Sequence, residues 1–223
     1  MNYKIYSLLS ALLIIIISCS KMNDMHQMYL DDGEKLYAAK LDSVAPNPGF
    51  NRIEFEMYAL SQRINKVRIY WNDKNDSVDV MLNNKPGIYK QLVSNLEEGE
   101  YIFFFVSFDD YNNRSLDYEL TAICYGDSYA SILLNRSIEN ITKNGGNIII
   151  KWRSIAGTNV VSTQFTYQTS TGESSEIAIL PGENTTTLTN AKEGGTYSYK
   201  TLYKPTPNSI DTFASMVENG VFP

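Results

Sequence analysis

Few residues in this sequence are equipped for acid–base, nucleophilic or metal chemistry. His26 is the single histidine among 223 residues, and Cys19 and Cys124 are the two cysteines. A Ser-His-Asp arrangement would have to use His26, and no set of His and Cys can supply four zinc ligands. Cys124 ends the strand-like run Leu120-Thr121-Ala122-Ile123-Cys124 and has no nearby histidine to activate it, so it reads as a buried thiol rather than a nucleophile. A glycosidase needs two carboxyl groups held across a cleft, whereas Asp109-Asp110 are successive residues of a turn and nothing selects an acid and a nucleophile. Asp73-Lys74-Asn75-Asp76-Ser77 begins like a calcium loop, but Asp76 stands where such a loop requires Gly and Asn84 where it requires Glu. No catalytic residue, metal site or cofactor is expected. The net charge of −6 argues against a nucleic-acid partner, which is bound through basic patches.

Recognition is the chemistry left to consider, and the chain is rich in aromatic residues, with 16 Tyr, 9 Phe and 2 Trp. Flat rings stack on the apolar faces of sugars. Tyr70 alternates out of phase with Val67, Ile69 and Trp71, which points it outward, and Tyr111 sits in the turn Asp109–Arg114; these two are the candidate glycan contacts. Trp71 and Trp152 each belong to an alternating apolar set and read as core. In Tyr101–Phe108 both alternate sets are apolar. If Tyr101, Phe103 and Phe105 face the core, then Ile102, Phe104 and Val106 lie on the outer face, where a second module, a linker, a neighbouring strand or a partner must cover them. Asp42-Ser43-Val44 and Asp76-Ser77-Val78 resemble the three-residue O-glycosylation signal of exported Bacteroidota proteins, which makes Ser43 and Ser77 candidate modification sites.

The N-terminus sets the compartment. Lys4 is followed by the apolar run Leu8–Ile17 and then by Ser18-Cys19, the charge, apolar and small-residue order of a secretory signal. The run is too short for an ordinary membrane-spanning helix. Ile16-Ile17-Ser18-Cys19 resembles a bacterial lipobox, which implies cleavage after residue 18 and a diacylglycerol on the Cys19 sulfur. Each buried methylene of an acyl chain contributes about 0.8 kcal/mol, so such an anchor is durable. With Cys19 acylated, Cys124 has no partner for an intramolecular disulfide. Residues 19–36 read as a polar, Met-rich tether that contains His26.

Short alternating segments separated by turn residues follow, the pattern of an all-β sandwich. A weak repeat divides them into two modules. Asn95-Leu96-Glu97-Glu98-Gly99-Glu100-Tyr101 opens one strand and Asn190-Ala191-Lys192-Glu193-Gly194-Gly195-Thr196-Tyr197 opens another 95 positions later, a spacing that fits one sandwich domain. Expected boundaries are 37–124 for the first module, 125–136 for a linker and 137–223 for the second. Leu96–Tyr101 resembles the tyrosine-corner segment of fibronectin type III modules, in which the ring enters the core and the hydroxyl bonds to backbone across the turn. Trp152, after Ile148 and Ile150, is similar to their core tryptophan.

Across the chain, Asp32-Gly33-Glu34, Lys40–Val44, Asn51-Arg52, Ile69–Asn72, Tyr125–Tyr129, Leu133–Arg136, Leu202–Pro205 and Ile210–Phe213 are similar to successive signatures of a family of uncharacterised Bacteroidota surface lipoproteins. The resemblance implies two tandem fibronectin type III or immunoglobulin-like sandwiches on a lipid anchor, and no established activity. In some members it implies an appended carbohydrate-binding domain, which is not expected after Pro223. The expectation is therefore a non-catalytic lipoprotein of the outer membrane, exposed at the cell surface. It would act as a spacer or recognition module with a glycan or surface-protein partner. A carbohydrate-active hydrolase using carboxylates and an adhesin or assembly subunit are the alternatives.

Overall fold

Period-two alternation of apolar and polar residues is satisfied when a strand buries one face of a pleated sheet, and the alternating runs fold accordingly. The computed structural model describes residues 36–155, 157 and 159–223. The expected signal segment, the Cys19 anchor, His26 and the tether up to residue 35 lie outside the described residues. In the first module β1 (Ser43–Gly49), β2 (Arg52–Ala59) and β5 (Gly87–Ser94) form an antiparallel sheet in the order β1-β2-β5. Facing it, β3 (Lys66–Trp71), β4 (Asp76–Met81), β6 (Gly99–Phe108) and β7 (Tyr118–Cys124) form a second sheet in the order β4-β3-β6-β7.

The second module repeats this plan. Here β8 (Ile138–Asn144), β9 (Asn147–Trp152) and β12 (Thr185–Leu188) pair in the order β12-β9-β8. The other sheet contains β10 (Val160–Gln168), β11 (Ser174–Ile179) and β13 (Thr196–Tyr203), and its last strand is split into β14 (Phe213–Ala214) and β15 (Glu218–Val221), both paired with β13. Two all-β sandwiches in tandem, each with a three-stranded sheet opposite a larger one, are the fibronectin type III-like class of fold.

Each module has its own core. In β2 the alternation is complete: Ile53, Phe55, Met57 and Ala59 are all fully buried while the residues between them are not. Phe55 meets Phe103 and Phe105 edge-on, with ring centroids 4.5 and 5.1 Å apart. Tyr101 lies at the margin of this core, and Trp71 is half-buried against it. The second core is centred on Phe165, which Trp152 meets edge-on at 5.9 Å.

Three strands lack a period-two signal. β1 reads Ser-Val-Ala-Pro-Asn-Pro-Gly, and its two prolines are tolerated because it is an edge strand whose missing N–H groups cost no ladder bonds. β8 has no buried residue and therefore no apolar period, and β15 is four residues long. β14 is confined to Phe213–Ala214, because Ile210 and Asp211 just before it are bound to the first module.

Candidate functional site

The residues between and beside the two modules form a built junction. The turn from β1 to β2 is sharp enough to place Asn51 at φ 53°, a left-handed conformation that Asn tolerates well. That turn presents Phe50 and Arg52 to the loop after β13. The Asp211 carboxylate accepts two bonds from the Arg52 guanidinium, at 2.6 and 2.9 Å, and a third from the Phe50 amide at 2.8 Å. The Arg52 bonds, foremost, hold Asp211 below the ordinary carboxylate range, and burial only partly opposes them. Ile210 donates its amide to the Pro48 carbonyl, and Asn208 donates to the Pro46 carbonyl. Gly49 packs against the Asp211 and Ile210 side chains where any Cβ would collide.

The segment after β7 completes the junction. It contains a short helix, α1 (Asp127–Ser131), whose first amides at Ser128 and Tyr129 both donate to the Glu98 carboxylate at 2.7 Å. Tyr129 and Tyr125 close edge-on around Phe213, with centroids 5.2 and 6.0 Å from it, and Phe50 lies 5.8 Å away on the same ring. Further along, Arg136 is 1% exposed, although arginine is seldom buried without a carboxylate. Its guanidinium donates to the carbonyls of Arg153 and Leu180 and to Asn184, each at 3.0 Å, and burial lowers its pKa. Nothing in the sequence pattern marks Arg136 as buried, because its partners, two backbone carbonyls and the Asn184 side chain, are brought together only by the fold.

The outer face of the β4-β3-β6-β7 sheet carries the residues expected as a contact surface. Phe104 is half-buried, with the Lys74 ammonium 4.4 Å from its ring centre, and Lys66 stands 4.8 Å over Phe108. Tyr70, paired in register with Phe104, is half-buried with the Arg68 guanidinium 6.0 Å away. These cations are neutralised in place: Arg68 forms a two-bonded pair with Asp79, Lys66 also reaches Asp79, and Lys74 pairs with Asp117. Ile102 remains 48% exposed. Val106 is the exception to the expected surface: opposite Arg68 in register, it is 1% exposed and unavailable for contact. Aliphatic stems of basic side chains cover apolar surface in this way.

The other candidates occupy separate places. Tyr111 is 88% exposed in the β6–β7 loop, whereas Tyr70 lies within β3. Asp109, in the same loop, accepts bonds from the Tyr111 amide and from both nitrogens of Asn113, which together hold its carboxyl below the usual range. It organises the turn. Ser43 and Ser77 are exposed on β1 and β4. Cys124 is fully buried, and burial pushes its thiol up to about 11. No cluster of three or more His, Cys, Asp or Glu suited to a metal ion occurs among the described residues.

The outer face of the second module's larger sheet is a hollow of about 680 Å³ between β11, β10, β13 and β15, continued by a smaller one of about 200 Å³ that shares Thr166 and Ser198. Its side chains are mostly hydroxyls and amides. Short polar residues that alternate with a buried set read simply as a solvated face, so only the curvature of the folded sheet reveals a groove.

Fold and junction together define the class, two tandem fibronectin type III-like sandwiches. Within that class, the chain belongs to the DUF4998 family, a domain of unknown function, whose model matches residues 19–213. No curated protein matches it. Among solved structures, the chain is similar to the FN1–FN3 domains of chicken CNTN1 at 14% identity, over 83% of this chain and 65% of that one, with a TM-score of 0.39. It is also similar to a two-domain fibronectin type III segment of chicken tenascin, at 11% identity over 82% and 99% of the two chains, TM-score 0.32. The fibronectin(III)-like modules of Clostridium thermocellum CbhA match at 13% identity over 82% and 92%, TM-score 0.38.

Proposed function

We propose that the protein is a non-catalytic surface spacer. A lipid on Cys19 anchors it to the outer membrane, residues 19–36 tether it, and the two sandwiches form a stiff unit that presents a recognition face to a partner in a glycan-handling assembly. The observation that carries this reading is the junction. Domains joined by a linker alone move relative to one another by default. Here a carboxylate bound three times over, the Phe50–Phe213 ring contact and direct backbone bonds connect the modules outside the linker, and the linker rings Tyr125 and Tyr129 close on Phe213 beside them. A spacer needs that stiffness, because a fixed angle limits where a distal face can reach.

The test is small-angle X-ray scattering on the Cys19→Ser chain. The expected result is one narrow distance distribution that broadens toward larger dimensions in the Arg52→Ala/Asp211→Ala/Phe213→Ala variant while both modules stay folded. A parent chain already as broad as the variant would overturn the reading.

A further inference from the structure

Resting on that reading and going beyond it, we infer that the outer face of the second module's larger sheet binds an unbranched, neutral oligosaccharide. The register aligns Glu176, Thr166, Ser198 and Asn219 directly across β11, β10, β13 and β15, which makes one straight polar row perpendicular to the strands. Gln168 and Gln164 flank Thr166 on the same face of β10, one on either side of the row. None of these six side chains hydrogen-bonds within the protein among the described residues. The equivalent face of the first module is the opposite case, since its charged groups are bound to one another over the aromatic rings.

The chemistry of the row selects its occupant. Hydroxyls and primary amides both donate and accept, as sugar hydroxyls do, so either partner can take either role. The charged residues lining the two hollows are of both signs, Glu173 and Glu176 with Lys200, a mixed lining that gives neither a polyanion nor a polycation a matching field. Adjacent strands lie about 4.8 Å apart, close to the advance of one pyranose unit along an extended chain, so a glycan lying along the row meets one strand per sugar. The combined hollows fall within the range of roughly 300–1,000 Å³ usual for small-molecule sites.

Isothermal titration calorimetry of the Cys19→Ser chain with cellohexaose, xylohexaose and mannohexaose tests this, with heparin as the polyanionic control. Saturable binding of at least one neutral hexaose is expected. Ser198→Trp, which fills the row, should weaken it about tenfold or more, a loss of roughly 1.4 kcal/mol. Gln168→Ala/Asn219→Ala, which only trims unpaired amides and keeps the fold, should weaken it several-fold. Tyr70→Ala and Tyr111→Ala should leave it unchanged. No binding by any of the three sugars, indifference to both groove variants, loss of binding in either tyrosine variant, or preference for heparin would each overturn the assignment. Scattering separates the two levels: a stiff chain without sugar binding defeats this site alone, and a flexible chain defeats the spacer.

Discussion

Tyr101 donates its hydroxyl to the Glu97 carbonyl at 3.2 Å across the turn before β6, the bond that Leu96-Glu97-Glu98-Gly99-Glu100-Tyr101 leads one to expect. Its repeat partner behaves differently. Tyr197 makes no such bond among the described residues and instead stacks on Phe165 at 5.2 Å, while Tyr167 supplies a corner bond to Asn190 at 2.8 Å. The local motif was legible, but which tyrosine donates depends on the packing around Phe165. Arg136 was not legible at all, since its ligands are separated from it by up to 48 positions. Cys19 is the reverse, a residue argued from local sequence alone. Metabolic labelling with a fatty acid should tag the parent chain and not Cys19→Ser, and a parent chain that takes up no label would sink the anchor.

At the scale of elements, the split last strand of the second module is the most exposed to a single change. Gly220 of β15 lies opposite Tyr197 in register, and a Cβ there would run into the Tyr197 ring. The ring cannot simply yield, because Phe165 and Phe222 hold it at 5.2 and 5.0 Å. Gly220→Ala should therefore cost about 1–3 kcal/mol, the usual range for overpacking. Hydrogen exchange should show protection lost along β15 and its partner residues Thr196–Tyr199, with β9 unaffected. Uniform exchange across the second module would refute this account. β1 and β15 escaped the alternation pattern for the same reason: edge strands pair on one side only, so their sequences are less constrained than those of central strands such as β2 and β10.

For the whole molecule, the junction is also an acid-sensitive element. Arg52 holds Asp211 below the ordinary carboxylate range, so the contribution of that pair is fully present above the unfolded value of about 3.9 and is lost as pH falls through the depressed folded value. Scattering from the Cys19→Ser chain should stay constant from neutrality down to about pH 4 and broaden below it, and Asp211→Asn should already be broader at neutral pH. An unchanged profile in acid would remove Asp211 from this role. Asn51-Arg52, Tyr125–Tyr129, Leu133–Arg136 and Ile210–Phe213 were conspicuous as motifs without an evident task. The fold gathers most of them at the junction, where Arg52 meets Asp211 and Tyr125 and Tyr129 surround Phe213. The sequence by itself determined the all-β class, the two-module repeat, the core aromatics and the scarcity of catalytic groups, because composition and period-two alternation are local quantities that a pleated sheet reads directly. Only the tertiary structure decided that the modules are joined by charge and aromatic packing, that Val106 is covered and Arg136 buried, and that a polar row crosses the second sheet. Each of these depends on residues far apart in the chain becoming neighbours, and local patterning does not encode that proximity.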